Sequence, residues 1–155
     1  MTGSAYNISK AAVKVFTEQL AHELRQDPSS RIDVKLLVPG FVWTALTGAE
    51  DASKQKPEGA YTPEQTVEYF MEKIKKGSFY VVCPDGETTE AHDKARMEWS
   101  MNDVLQDRPP LSRWEKEHTP KYGEWLRSLL SHILSGADES FLRLVTEEFM
   151  KSKGL

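Results

Sequence analysis

A tyrosine and a lysine near the start of the sequence, Tyr6 and Lys10, could do chemistry together. They are four residues apart on a segment with helical periodicity, so both side chains leave the same helix face. An ammonium beside a phenol favours the phenolate, and such a phenol can act as a general acid or base at a carbonyl or alcohol oxygen. The spacing alone is equally typical of a solvated helix face, which is how we interpret Tyr69 and Lys73.

The pair needs a helix that holds it beside a core. Apolar residues recur at helical spacing from Tyr6 to about Gln26 and fill one arc of the predicted helix: Ile8, Ala12, Val13, Phe16, Leu20 and Leu24. Tyr6 and Lys10 fall at the border of this arc, where polar groups that face a cleft are expected. We therefore expect the first helix to bury its apolar face and to present the pair to a cleft.

Strands and helices alternate after this first helix. A strand is predicted over 32–38, ending at Pro39–Gly40, and a second strand over 79–83. Phe41–Tyr61 lacks a sustained period, so it is predicted as a long loop of the kind that covers a site. Thr62–Gln65 predicts a helix start, with a threonine cap, proline in the first turn and glutamine three residues after the cap. This order is typical of an α/β layer with a parallel sheet.

The second half of the sequence is predicted to be mainly helical. A helix is expected over about 89–105, followed after Pro120 by two amphipathic segments, 125–134 and 141–150, that resemble a helical hairpin. Two strands alone leave both edges of a parallel sheet open. We therefore expect this chain to be the back part of a larger domain.

Composition excludes several classes of function. The chain has 155 residues, a net charge of −4 and a pI of about 5.6, so a large basic nucleic-acid surface is not expected. Its apolar runs are too short to cross a membrane, and no secretory signal is recognised. A single cysteine, Cys83, permits no internal disulfide and favours a reducing compartment, by default the cytoplasm. No metal site is expected, because the four histidines lack ligand spacing: His22, His92, His118 and His132.

The order of the motifs resembles a known family. Tyr6-Asn7-Ile8-Ser9-Lys10 is followed by a long helix, an apolar strand and Pro39-Gly40-Phe41-Val42-Trp43-Thr44. This resembles the C-terminal half of the short-chain dehydrogenase/reductase family, with its Tyr-x-x-x-Lys pair and its Pro-Gly motif after the next strand. The resemblance covers about residues 1–118 and leaves 119–155 as a helical tail. It implies an α/β fold, a partial Rossmann-type doubly wound parallel sheet with a C-terminal helical extension.

The resemblance implies roles for the Tyr-Lys pair. Tyr6 would donate or accept the proton at the oxygen of a small carbonyl or alcohol substrate. Lys10 would favour the phenolate and bind the ribose hydroxyls of NAD or NADP. The helix that carries Tyr6 would also pair with its copy in a homo-oligomer, as is common in this family.

The same resemblance implies roles for the segment after the first strand. Pro39 and Gly40 would shape the loop against the nicotinamide. Val42 would offer its backbone N–H to the carboxamide, and Thr44 its hydroxyl to the carboxamide or the pyrophosphate. The alternatives are ordinary structural ones, since Pro-Gly after a strand is commonly a turn and Thr44 could be a helix cap.

Several features depart from the family pattern. The chain lacks a glycine-rich phosphate-binding turn, and it also lacks the serine and asparagine that the family carries upstream of the tyrosine. Low activity or none is therefore expected of the chain by itself. The competing hypothesis is a non-catalytic remnant that binds a partner through an open sheet edge and the tail helices. For residues 119–155, core packing is favoured over a partner-binding hairpin or an altered reading of the end of the gene.

Overall fold

The computed structural model describes residues 3–86 and 88–133, which fall into two compact units divided between Asp85 and Gly86. The described part is α/β, with a two-stranded parallel sheet and four α-helices. The elements are α1 (Gly3–Gln26), β1 (Leu36–Val38), α2 (Pro63–Lys75), β2 (Tyr80–Val82), α3 (Glu90–Leu105) and α4 (Thr119–Ile133). The α/β class is confirmed, whereas the doubly wound arrangement stays a prediction.

The sheet of the first unit is short. Strands β1 and β2 pair in parallel, with Leu36 opposite Tyr80 and Val38 opposite Val82. The first strand was expected over 32–38, but only its last three residues form ladder hydrogen bonds. The residues before it stay outside the ladder because β2 is itself only three residues long. Ile32 is exposed there, and Lys35 pairs with Asp33 across 2.9 Å.

Helix α1 packs through its C-terminal half. Ala21 is buried, and the Tyr80 hydroxyl of β2 hydrogen-bonds to the Glu18 carboxylate. Nearer the N-terminus, by contrast, Ile8 is 70% exposed, and Phe16, close to the middle of the helix, is 67% exposed. The expectation of a buried apolar face is therefore wrong for residues 3–16, because a 24-residue helix extends past the short sheet that could cover it.

The start of α2 confirms the predicted capping box. The Thr62 hydroxyl accepts a hydrogen bond from the Gln65 N–H at 3.2 Å, and the Gln65 side chain accepts one from the Thr62 N–H at 2.8 Å. Pro63 occupies the first turn, where its missing N–H costs no hydrogen bond. Gly77, at φ 85°, follows the end of this helix in a conformation that favours glycine.

The second unit has an aromatic core between α3 and α4. Its buried members are Ala95, Trp99, Tyr122 and Leu126. The rings of Trp99 and Tyr122 meet edge to face, with centroids 5.3 Å apart. The described part of the expected tail thus contributes to a core. The boundary near residue 118 stays a prediction, and the second amphipathic segment, 141–150, lies outside the described residues.

A buried polar network closes this core at the end of α3. The Ser112 hydroxyl accepts from Trp99 Nε1 at 2.8 Å and donates to the Asp103 carboxylate at 2.6 Å. The Arg108 guanidinium lies 4.0 Å from the centroid of the Trp99 ring and pairs with Asp103. Burial opposes ionisation of Asp103, but the Ser112 hydrogen bonds and the Arg108 charge keep the pKa of that carboxyl below its ordinary value.

Candidate functional site

The Tyr6–Lys10 pair lies on one face of α1. Lys10 Nζ is 5.3 Å from the centroid of the Tyr6 ring, and the tyrosine is 56% exposed. The Ser9 hydroxyl donates to the Tyr6 carbonyl at 2.7 Å, a bond within the helix turn. Within the described ranges, neither the Tyr6 hydroxyl nor the Lys10 ammonium has a hydrogen-bond or ion-pair partner. Both polar groups can therefore reach a ligand.

The second Tyr-Lys pair of the chain has nearly the same geometry. On α2, Lys73 Nζ lies 5.1 Å from the centroid of the Tyr69 ring. The i, i+4 spacing of a helix is enough to produce this arrangement. Ring-to-ammonium geometry therefore does not by itself distinguish a reactive tyrosine from an ordinary one.

The Pro39–Gly40 turn lies at the carboxyl end of β1 and is held by residues that follow β2. The Gly40 N–H donates to the Cys83 carbonyl at 3.0 Å, and the Phe41 N–H donates to Asp85 Oδ2 at 3.1 Å. A Cβ added at Gly40 would lie 3.0 Å from both the Cys83 carbonyl oxygen and Asp85 Oδ2. The close approach of the residues that follow β2 therefore favours a glycine at this turn.

Val42 is held in a single parallel bridge with Tyr61. The Tyr61 N–H donates to the Phe41 carbonyl at 3.0 Å, and the Trp43 N–H donates to the Tyr61 carbonyl at 2.8 Å. In this pattern the N–H of Val42 points to the side opposite Tyr61. No acceptor for it is found in the part of the chain that the structure describes. The Val42 N–H is therefore an available donor.

Thr44 occupies the cap position of a short 3-10 helix, Ala45–Thr47. Its N–H donates to the Thr47 hydroxyl at 2.7 Å, and its carbonyl accepts from the Thr47 and Gly48 N–H groups. The two threonine hydroxyl oxygens are 3.4 Å apart. The backbone of Thr44 thus acts as a helix cap, as in the structural alternative. Its hydroxyl can still form a further hydrogen bond with a ligand.

The predicted site residues form two groups. Tyr6 contacts Lys10, and the 39–44 segment is anchored to the end of β2 and to Tyr61. Among the described residues the structure records no hydrogen bond, ion pair or ring contact between the two groups. That both groups meet one ligand stays a prediction.

Asp85 is a residue of this region that the sequence analysis did not single out. A signal was available, because Asp85 follows β2 as Pro39–Gly40 follows β1. The carboxyl ends of adjacent parallel strands lie at the same edge of a sheet, where ligands of α/β proteins bind. A polar residue at this position was therefore a candidate.

The thiol of Cys83 is not suited to act as a nucleophile. Burial raises the pKa of the Cys83 thiol, which disfavours the thiolate needed of a nucleophile. In residues 3–86 and 88–133 no cluster of three or more His, Cys, Asp or Glu side chains could hold a metal ion.

No helix in these ranges has the length and apolar character needed to cross a membrane.

Comparison with known proteins gives one match. Residues 1–55 match the model of the family described as short chain dehydrogenase. The searches of curated proteins and of solved structures find no match. The resemblance is confirmed over the matched segment, whereas its extension to residue 118 stays a prediction. The chain therefore carries a segment similar to the short chain dehydrogenase family, and this segment contains every residue predicted for the site.

Proposed function

We propose that this chain belongs to an NAD(P)-dependent oxidoreductase that transfers a hydride between a nicotinamide and a small carbonyl or alcohol substrate. The observation that carries the proposal is the position of Tyr6 and Lys10. They face each other on α1 inside the segment that matches the family, whereas the geometrically similar Tyr69–Lys73 pair lies outside it. The Tyr-x-x-x-Lys pair is the proton-transfer machinery that the family resemblance implies.

Tyr6 moves the proton in the proposed reaction. In reduction its hydroxyl donates a proton to the carbonyl oxygen, and in oxidation the phenolate accepts the proton of the alcohol. The Lys10 ammonium, held on the same helix face, stabilises the phenolate that remains after donation. When bound, the nicotinamide supplies or takes up the hydride.

The residues present fit the nicotinamide end of such a cofactor. The Val42 N–H is an available donor for a carboxamide oxygen, and the Lys10 ammonium for ribose hydroxyls. Pro39 and Gly40 would shape the loop against the ring, and the Thr44 hydroxyl would add a polar contact. The nine glycines of the chain form no G-x-G-x-x-G pattern, so these residues offer no comparable cradle for the pyrophosphate. We therefore expect weak binding.

Titration of the purified chain with NADH and with NADPH, followed by fluorescence, tests the proposal. Lys10→Met keeps the aliphatic stem and removes the charge, so it should weaken binding about tenfold or more, the usual effect of losing a charge-assisted hydrogen bond. Lys73→Met is the matched control and should leave the affinity unchanged. No saturable signal from the unmodified chain, or equal losses in both variants, would contradict the proposed function.

A second candidate is an interaction module, favoured by the exposed apolar residues of α1. Three apolar side chains in the first fourteen residues of this helix are more than half exposed: Ile8, Val13 and Phe16. Clustered exposed apolar side chains of this kind mark surfaces that associate. Under this alternative α1 pairs with its copy in a homo-oligomer or with another protein, and the chain does not catalyse.

Sedimentation of the purified chain tests this second candidate. Phe16→Glu places a charge on the α1 face and should shift an oligomer toward monomer. Leu46→Glu is the control, because Leu46 is 96% exposed and belongs to the 3-10 helix Ala45–Thr47 instead of α1. A monomeric unmodified chain at high concentration, or an equal shift with both variants, would contradict association through α1.

A further inference from the structure

The Asp85 carboxylate lies against the loop that follows β1. Asp85 Oδ2 accepts a hydrogen bond from the Phe41 N–H at 3.1 Å, across 44 positions of sequence. The same oxygen lies 3.0 Å from the point where a Cβ on Gly40 would sit. The Asp85 side chain, which follows β2, thus holds the backbone of Phe41, which follows the parallel strand β1.

Phe41 is held on both sides. Its N–H donates to Asp85, and its carbonyl accepts from the Tyr61 N–H at 3.0 Å. The plane of the following peptide contains the Phe41 carbonyl and the Val42 N–H. The Tyr61 hydrogen bond holds this peptide, and the Asp85 hydrogen bond holds the peptide before it. Together they fix the Phe41 backbone and with it the direction of the Val42 N–H, the donor that the proposed function assigns to a nicotinamide carboxamide.

The Asp85 carboxylate makes this hydrogen bond with one oxygen only. Its Oδ1 atom is buried and has no hydrogen-bond partner among the residues that the structure describes. A buried acceptor without a partner is unfavourable, and such groups persist where the surrounding structure gains from them. Here the gain is a charge-assisted hydrogen bond to a loop amide, which is stronger than one between neutral groups.

We infer that Asp85 is a positioning residue of the proposed site, which holds the Phe41 N–H and thereby directs the Val42 N–H toward the carboxamide of the cofactor. The inference rests on the proposed function for the identity of the ligand. The hold on the loop can be measured without any ligand.

Amide hydrogen exchange measured by NMR on the full chain tests the hold. Asp85→Ala should speed exchange of the Phe41 amide at least about tenfold, while Asp85→Asn, which keeps an acceptor oxygen, should restore most of the protection. Asp51→Ala is the matched control, since Asp51 accepts the Ser53 N–H at 3.0 Å in the same loop. This variant should leave the exchange rate of the Phe41 amide unchanged. Equal exchange in Asp85→Ala and the unmodified chain would overturn the inference.

Titration with NADH then tests the positioning role. Asp85→Ala should weaken affinity about five- to tenfold, Asp85→Asn about twofold or less, and Asp51→Ala not at all. Faster Phe41 exchange with unchanged affinity would show a merely structural contact and overturn the positioning role. Absence of binding by the unmodified chain would remove the proposed function and this role with it, while the exchange result would still show whether Asp85 holds the loop.

Discussion

The Lys10 ammonium lies 5.3 Å from the centroid of the Tyr6 ring, on an exposed face of α1. This relationship exists without a ligand, because residues four apart on a helix are neighbours. The cation is therefore already in place before a substrate arrives, so no rearrangement is needed to bring it to the tyrosine. Whether the Lys10 ammonium assists proton transfer depends on a ligand that binds at this face of α1, and variants can test this role directly.

Tyr6→Phe should remove the proton donor and leave the other residues of the proposed site unchanged. We expect the rate of NADPH-dependent reduction of a carbonyl to fall by about 10²- to 10⁴-fold, the usual contribution of a positioned general acid. Cofactor affinity should stay within about twofold, since Lys10 is retained. The measurement is NADPH absorbance at high protein concentration. Tyr69→Phe, on the similar pair, should keep the full rate, and a Tyr6→Phe variant that also kept it would contradict the mechanism.

Gly40→Ala should destabilise the first unit. The added Cβ would meet Asp85 and the Cys83 carbonyl at 3.0 Å, so either the loop or the end of β2 must shift. Overpacking of this kind costs about 1–3 kcal/mol in the free energy of unfolding. Gly3→Ala is the control, because no atom lies within 4 Å of a Cβ added there. Urea unfolding followed by circular dichroism measures both, and an unchanged midpoint for Gly40→Ala would contradict the contact.

Local features of the fold were predictable from the sequence. The start of α2 follows from Thr62, Pro63 and Gln65 alone, because a capping box is completed within four residues. The facing of Tyr6 and Lys10 follows in the same way from helix geometry. These interactions need no distant partner, so a local pattern is sufficient to specify them.

Features that depend on distant partners were not predictable. Periodicity identified the apolar face of α1 but not what covers it, and Phe16 proves to be exposed. The first strand was predicted too long, because its length depends on β2. The contact between Asp85 and Phe41 joins residues 44 positions apart, so no local pattern could reveal it.

Ser112→Ala should destabilise the second unit. The hydroxyl accepts from Trp99 Nε1 and donates to Asp103, and Ser112 itself is fully buried. Its removal leaves a buried indole N–H without this acceptor, at a cost of about 1–3 kcal/mol. Ser100→Ala, at an exposed position of α3, is the control. Urea unfolding followed by tryptophan fluorescence should show a lower midpoint for Ser112→Ala only, and equal midpoints would contradict the network.

Acid should destabilise the second unit through His92. Burial lowers the pKa of His92 from its ordinary 6.5 to about 4, and the positive charges of Arg96 and Arg113 add to this effect. The unfolded chain protonates this histidine near pH 6.5, whereas the folded unit resists protonation down to about pH 4. Between these values the unfolded state binds more protons, so the free energy of unfolding falls as the pH falls.

The loss should amount to about 2–3 kcal/mol between pH 7 and pH 4, from about 1.4 kcal/mol for each pH unit of the window. Urea unfolding at the two pH values, followed by tryptophan fluorescence, to which Trp99 and Trp125 of this unit contribute, measures it. His92→Gln cannot take up this proton and should lose less stability on acidification, whereas His22→Gln, at an exposed position of α1, should behave as the unmodified chain. An equal acid loss in all three proteins would show that groups other than His92 set the pH dependence, because only the first variant removes the buried imidazole.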